Sequence, residues 1–416
     1  MRQKTKATKS SISIFGQLVQ RVPGYYIEAL AKEEKIKARE FSYSSQLYLL
    51  MLGHLLHAFS LNEVTDISQV HESELKRIRR ISSAHLNTFS YANRTRNPEV
   101  AEKFYWMLRS YLQQQAPEFV KGRNPGPLSR FHLRKIYAID SSVLELCANC
   151  IDWAEYRKKK SAVKMHMRMN IANMLPSLVI LDVARPHDSS KMDELCADLK
   201  SGDIVVADRG YQKFTSFQNL ASRGIFYVVR QKNRAKYKVV KKRKITQPGI
   251  ISDEEIEPTI RLTKEKYTSP LRRVEAEVEV DGQIRRMVFL TNNLTWTART
   301  IADIYKGRWN VELLFKELKQ TLQLQSFYGT NANAVKWQIW AALIVHLLLR
   351  YMKFISGWKS SYSRFVGVVR SALWIKRDGI ELIKFYGIAS PQKCKRQRIS
   401  MPYLPGFERL ILNAIG

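Results

Sequence analysis

Asp203-Ile204-Val205-Val206-Ala207-Asp208-Arg209-Gly210-Tyr211 is the stretch on which the fold turns. Four apolar residues, too few for a helix and mostly β-branched, sit between two aspartates and run into an Arg-Gly turn. That is the pattern of a short buried strand ending at Asp208. Upstream, Ser177–Val183 is a continuous apolar run, as in a strand buried on both faces. Before it, Met165, Met167, Met169 and Ile171 alternate with Lys164, His166, Arg168 and Asn170, and Lys135–Asp140 alternates in the same way. Ser189 is placed to cap a helix reaching about Lys200. Downstream of Asp208 a helix runs to Gly224, a good C-cap, and Ile225–Val229 is a fifth strand. The order is β-β-β-α-β-α-β, with the first and fourth strands each ending in an aspartate, Asp140 and Asp208.

Outward from this core the texture changes twice. Residues 1 to about 120 read as helical, with apolar spacing in Leu47, Leu50, Met51, Leu55 and again in Phe104, Met107, Leu108, Tyr111. Ser60 caps one short helix. A second, from about Ser82 to Arg94, carries His85, Asn87, Ser90, Asn93, Arg94 and Arg96 on or near its exposed side. The pair is compatible with a helix-turn-helix that reads a DNA groove, and equally with ordinary helical packing. Lys121–Pro127 is a Gly- and Pro-bearing linker. On the other side, Arg230–Lys244 holds nine basic residues and no acid, and two strand-like runs flank Asp281-Gly282, a strong hairpin signal. Residues 231–298 therefore read as a β-rich insertion. A long helix, about Arg299 to Gln325, and a basic helical tail follow.

The chain has 416 residues, room for two or three domains. Lys and Arg number 69 against 37 Asp and Glu, a net charge of +32 that calls for a polyanionic partner, nucleic acid by default. With 45% apolar residues it is a folded protein rather than a basic tail. Four Cys exclude a disulfide scaffold, and the single Cys147-x-x-Cys150 reads as plain buried thiols in a reducing compartment. The longest apolar run, Ile339–Leu349, is broken by His346 and too short for a bilayer, so no membrane partner is expected, and the place of action is the cytoplasm.

Three carboxylates stand out by position. Asp140 and Asp208 leave the ends of buried strands, where an acid is costly without a positive partner such as a metal ion. The third lies on the long helix. At about 100° per residue Tyr305, Arg308, Glu312 and Lys319 fall at about 0°, 300°, 340° and 320°, within one stripe of about 60°. Trp309, Leu313, Leu314, Phe315 and Leu318 make the rest of that helix apolar, so a phenol, a guanidinium, a carboxylate and an ammonium on one stripe point into a site. A solvated Arg–Glu pair is the plainer reading.

Asp140-Ser141-Ser142, Lys164-Met165-His166, His187-Asp188, Asp208-Arg209-Gly210-Tyr211 and the Tyr-x2-Arg-x3-Glu-x6-Lys stripe occur in this order, and together they resemble the DDE transposases of the insertion-sequence-four family. The resemblance covers roughly residues 130 to 350. It implies a multidomain α/β protein: a helical, DNA-binding domain over 1–125, a ribonuclease-H-like mixed-sheet core over 126–230 and 299–350, the β-rich insertion at 231–298, and a basic helical region at 351–416. The β-β-β-α-β-α-β order fits such a core, and the 104 residues between Asp208 and Glu312 leave room for the insertion. It implies further that Asp140, Asp208 and Glu312 form a triad binding Mg²⁺, with Mn²⁺ substituting. Tyr305, Arg308 and Lys319 would grip phosphates beside the scissile bond. Arg230, Lys241, Lys242, Arg243 and Lys244 are the candidates for the DNA backbone. The roles of Lys164, His166, His187 and Asp188 stay open. Relatives that form a DNA hairpin use an aromatic of the insertion to hold a flipped base; Trp296, beside the catalytic helix, reads rather as core packing.

The implied activity is cut-and-paste transposition of an insertion sequence on double-stranded DNA: binding of terminal inverted repeats, cleavage and joining to target, by a homodimer in a bacterial cytoplasm at the nucleoid. Two alternatives use the same features. One is a metal-dependent nuclease that cuts without joining; the other is a DNA-binding protein without catalysis, for which Glu312 would not matter.

Overall fold

Strands form where β-branched and long apolar side chains alternate with polar ones between turn residues. In chain order they are β1 (Ile136–Leu146), β2 (Glu155–Arg157), β3 (Lys160–Asn170), β4 (Leu175–Val183), β5 (Ile204–Ala207), β6 (Phe226–Arg230), β7 (Tyr237–Lys242), β8 (Ile250–Pro258), β9 (Leu271–Val280) and β10 (Gln283–Thr291). This computed structural model describes residues 7–34, 40–124, 126–131, 134–147, 150–157, 160–183, 187–232, 236–280 and 282–387. The strands make one ten-stranded mixed sheet in the order β2-β3-β1-β5-β6-β10-β9-β8-β7, with β4 paired to β3 off that path. β1–β5 and β5–β6 are parallel, and β10 joins the strands of residues 237–291 to β6 in antiparallel register.

Period-2 alternation divides the core between two faces. Ile136, Ala138, Val206, Val228 and the three methionines of β3 pack on one side, in a cluster that also holds the helices. Tyr137, Ile139, Val205, Ala207, Tyr227 and Val229 pack on the other, against Met192, Leu195, Phe217 and Leu220. Helices α1 (Ile14–Gln20), α2 (Gly24–Lys32), α3 (Tyr43–Leu56), α4 (Leu61–Val70), α5 (Glu72–Arg77), α6 (Leu86–Thr95), α7 (Glu99–Gln115) and α8 (Pro117–Lys121) precede the sheet. Short α9 (Ile151–Ala154), α10 (Met192–Leu195), α11 (Phe214–Ser222) and α12 (Arg261–Lys266) lie between strands, and α13 (Ala298–Gly307), α14 (Trp309–Lys316), α15 (Ala332–Ile355), α16 (Tyr362–Ser371) and α17 (Gly379–Gly387) follow. α15 is long and apolar enough to cross a membrane, but 83% of its most apolar window is buried in the protein, where it packs on α3, α6 and α7. His54 of α3 bonds at one ring nitrogen to the Leu322 carbonyl (2.8 Å) and at the other to that of Gln338 (3.0 Å), tying the first helices to the last.

Several expectations change. The first strand does not end at Asp140: parallel pairing with β5 stops at Ile139, while antiparallel pairing with β3 carries β1 on to Leu146. The run 177–183 is not buried on both faces, because β4 pairs with β3 alone and is half-buried. Ser189 opens no long helix; a 3-10 turn (Asp188–Lys191) leads into the one-turn α10. The helix expected over 299–325 is broken at Gly307-Arg308 and ends in a π turn, Glu317–Thr321. Gly307 packs so closely that an added Cβ would come within 3.1 Å of Leu128 and Ile171. Strand β8 was not expected, since Asp253, Glu254, Glu255 and Glu257 hide its alternation. Those acids face the basic side chains of β7 and β9.

Smaller corrections concern one short helix and a few single residues. Between the two short helices of the expected pair lies α5. Asn93 and Arg96 are buried rather than exposed. Arg96 stacks 4.3 Å from the Tyr43 ring and donates to the Ser42 carbonyl (3.1 Å) and Gln46 (2.8 Å). Cys150 is buried but Cys147 is exposed. Of the expected tail, residues 388–416 lie outside the described residues.

Candidate active site

Asp140 sits one residue past the β1–β5 ladder. Alternation from Ala138 turns its side chain to the helical face, and Asp208 follows the last residue of β5 on the adjacent strand. Glu312, in the first turn of α14, comes to the same place from the helical side. Arg308, at the break between α13 and α14, joins them. Its Nη1 donates to Asp140 Oδ2 at 2.8 Å and its Nη2 to Glu312 Oε1 at 2.6 Å. Tyr305, one turn earlier, donates its hydroxyl to Asp208 Oδ1 at 3.2 Å, and Arg230 Nη1 lies 4.0 Å from the same oxygen. The Arg308 guanidinium also sits 5.3 Å from the Tyr305 ring and 5.0 Å from that of Trp309.

Electrostatics follow from burial. Asp140 is pushed up to about 6: loss of hydration raises it, Glu312 and Asp208 add to the rise, and Arg308 and the Ser141 amide pull it back. For Arg308 burial works against the charge, yet Tyr305, Asp140 and Glu312 outweigh it and hold the guanidinium above the usual arginine range. Burial raises the Tyr305 hydroxyl to about 12, so it stays a donor. Among the described residues no three Asp, Glu, His or Cys side chains stand close enough to hold a metal ion as they are. The donor set nevertheless fits a hard divalent cation. It consists of carboxylate oxygens, and a guanidinium already stands as the positive charge between two of them.

Six of the residues singled out in the sequence therefore meet here: Asp140, Asp208, Glu312, Tyr305, Arg308 and Arg230. Lys319 does not join them. The wider π turn begins between Glu312 and Lys319 on the stripe, and Lys319 Nζ instead donates to the Val143 carbonyl at 2.8 Å. That point is three residues, about 10 Å, further along β1 than Asp140. Burial lowers its ammonium below the ordinary lysine value. Lys241 and Arg243 are not free either: Arg243 Nη1 lies 3.1 Å and Lys241 Nζ 4.0 Å from Glu255. Lys242 and Lys244 are exposed.

Sequence reasoning missed two supporting groups. Glu317 in the π turn accepts from His346 Nε2 at 2.9 Å and Arg350 Nη2 at 2.7 Å, pinning the segment after Glu312 to α15; His346 stood out only as a break in an apolar run. The other centres on Asp188, whose Oδ1 accepts from Ser141 Oγ at 2.7 Å and lies 2.8 Å from Lys164 Nζ. Its motif was visible in the sequence, its contact with Ser141 was not. Trp296 packs against Phe131 and Phe226, as a core residue does.

Residues 132–348 match the family described as Transposase DDE domain. A putative transposase of Sinorhizobium fredii is 32% identical over 248 residues, 58% of this chain and 67% of that one. A probable transposase for an insertion sequence element of Geobacillus stearothermophilus is 25% identical over 333 residues, 78% of this chain and 83% of that one. Among solved structures, a piggyBac transposase synaptic complex with hairpin DNA aligns with 99% of this chain and 87% of that one, at 11% identity and a TM-score of 0.43.

Proposed function

This chain belongs to the DDE transposases of the insertion-sequence-four family, and on that premise we propose that Asp140, Asp208 and Glu312 are its catalytic, metal-binding triad. It is a transposase, an enzyme that acts on DNA. The observation that carries the triad reading is the grip on Arg308: acids from β1 and α14 hold one buried cation between them, and Tyr305 links the third acid to the same cluster. Mg²⁺, with Mn²⁺ as substitute, is the ion we assign. When bound, such an ion supplies Lewis-acid stabilisation of the attacking and leaving oxygens at phosphorus.

The chain's own residues have the following parts in this reading. The three carboxylates would hold the cation and orient the phosphate. Arg308 would offer its planar donors to phosphate oxygens, and Tyr305 would donate a hydrogen bond beside them. Lys319 stands further along β1 as a point charge for the neighbouring phosphate. Arg230, Lys242 and Lys244 extend the basic track onto the insertion, with Lys241 and Arg243 contributing where their acid partners yield.

We assign residues 126–230 and 299–350 to a ribonuclease-H-like core, 231–298 to an insertion, 1–125 to terminal-repeat recognition and 351–416 to a basic accessory region. The exposed Asn87, Ser90 and Arg94 of α6, with His85 at its N-cap, would face the repeat. The enzyme would work as a homodimer bridging two ends, cutting the element out and joining it to target DNA in a bacterial cytoplasm.

The test is a plasmid carrying two element ends, incubated with Mg²⁺ and wild type, Asp140→Ala, Asp208→Ala or Glu312→Ala. Excised and joined products from wild type alone, with DNA binding retained in all three variants, are the expected result. Cleavage without joining would favour the nuclease. Cleavage by any of the three variants would remove that residue from the triad.

A further inference from the structure

A second polar cluster lies behind the carboxylates, on the opposite face of the sheet. Alternation along β1 turns Asp140 toward the helices and Ser141 away from them. In the β1–β3 ladder Ser141 is opposite His166 and Val143 opposite Lys164, so Ser141, His166 and Lys164 share that rear face. Asp188 reaches it from the turn after β4. One oxygen, Oδ1, takes the Ser141 hydroxyl at 2.7 Å and the Lys164 ammonium at 2.8 Å. His166 Nδ1 stands 3.7 Å from that oxygen and 3.2 Å from the Tyr211 hydroxyl. The other oxygen, Oδ2, lies against Gly210, where an added Cβ would approach it to 3.1 Å.

These contacts connect to both strand-borne acids. The backbone N–H of Ser141 donates to Asp140 Oδ1 at 2.8 Å, while its hydroxyl is held by Asp188. Ser141 thus orients the Asp140 carboxylate with one donor and is itself fixed by the other. Gly210 and Tyr211 belong to the turn that follows Asp208, and both border the same cluster. The Lys164 ammonium balances the Asp188 charge, and Lys164 is 13% exposed and Asp188 26%, so the pair is largely withdrawn from water.

We propose that Asp188 is a positioning residue: it clamps Ser141 beside Asp140 and the Arg209-Gly210-Tyr211 turn beside Asp208, and so fixes the separation of the two acids. The inference rests on the triad reading above. A clamp of this kind acts on how tightly the acids hold a cation. An ion pair that only stabilises the fold would leave that affinity alone. Removing partners behind the ligands of a metal site costs about 10- to 100-fold in affinity.

The test measures Mn²⁺ binding to full-length, DNA-free protein by electron paramagnetic resonance, with melting temperatures recorded alongside. Wild type is compared with Asp140→Ala, Ser141→Ala, Asp188→Ala and Asp188→Asn. Asp188→Ala and Ser141→Ala should each weaken Mn²⁺ about 10-fold or more, and Asp188→Asn, which keeps an acceptor for the Ser141 hydroxyl, should recover most of that loss. If either alanine variant binds Mn²⁺ within about twofold of wild type, the clamp is wrong. Should Asp188→Ala fail to fold, Ser141→Ala decides by the same criterion. Failure of the triad reading looks different: wild type binds no Mn²⁺, or Asp140→Ala binds as wild type does, and the clamp then falls with it.

Discussion

Arg308 Nη1 lies 2.8 Å from Asp140 Oδ2, and the arginine side chain is only 5% exposed. A carboxylate in that setting cannot be left without a positive neighbour, and Arg308 is the neighbour the fold provides. Its second nitrogen group holds Glu312, so the same cation neutralises acids from a strand and a helix. On the proposed reading, Asp140 and Glu312 would hold a divalent ion where they now hold the guanidinium.

Arg308→Ala should therefore have two opposite effects. Fold stability falls by about 3 kcal/mol, the cost of breaking a buried pair. The stabilisation gained on adding Mn²⁺ grows, because no internal cation competes with the ion. Urea unfolding with and without Mn²⁺ reads both. A variant as stable as wild type, or one with a smaller Mn²⁺ gain, would show that Arg308 does not act as the resident counter-cation.

The buried Glu317 gives a prediction about the segment behind Glu312. Burial works against its charge, yet His346 and Arg350 outweigh this and hold its carboxyl below the ordinary value. His346 itself is lowered, chiefly by burial, in spite of Glu317. Both directions agree if Glu317 is ionised, His346 neutral, and Arg350 carries the balancing charge. Arg350→Ala should then cost about 3 kcal/mol or more, whereas His346→Gln, which loses a neutral hydrogen bond, should cost about 1 to 2 kcal/mol. Urea titrations of the two variants test the order; equal losses, or the reverse order, would place the charge on His346.

Burial also decides what acid does to the fold. It drives His166 down to about 4, with Lys164 and Lys191 lowering it further and Asp188 and Asp182 opposing. An unfolded imidazole titrates near 6.5, so below that pH the unfolded chain binds a proton the folded one refuses. This stability is present in full above about pH 6.5 and is lost as pH falls toward 4, roughly 3 kcal/mol at 1.36 kcal/mol per unit. Unfolding free energies from about pH 7.5 to about pH 5 should decline, and less so in His166→Gln. A variant with the wild-type slope would assign the acid sensitivity elsewhere.

How far these features can be read from sequence depends on whether they are local. β5 was legible because Ile204–Ala207 is a β-branched run bounded by turn residues, and all four side chains are fully buried. Asp208, Glu312, Tyr305 and Arg308 were legible because a strand end and helical spacing bring them to one side, whereas Asp140 reaches that side by alternation within a strand that runs on to Leu146. β8 was not, since its acids are matched by arginines on β9: Arg272 closes on Asp253 at 2.6 Å, a pairing between residues far apart in the chain. Lys319 stands apart from the other members of the stripe because it lies in the π turn Glu317–Thr321, whose wider winding the sequence does not show. Arg96 read as lying on or near an exposed helix side, whereas the Tyr43 ring and the Ser42 carbonyl give it a buried site.

The same long-range pairing sorts the basic run of the insertion. Lys241 and Arg243 spend their charge on Glu255 and Asp253, while Lys242 and Lys244 are exposed and form no ion pair among the described residues. Each lysine that touches a phosphate releases counterions, so its loss should flatten the dependence of log affinity on log salt by about 0.9. Lys242→Ala and Lys244→Ala should each flatten that slope without lowering the melting temperature. Arg243→Ala should instead lower the melting temperature, since it removes the nearest cation from Glu255 and leaves only Lys241 at 4.0 Å beside that acid. Fluorescence anisotropy on an element end across a salt series, beside thermal melts, separates the two classes. Unchanged slopes in both lysine variants would mean that DNA does not run over this edge of the sheet.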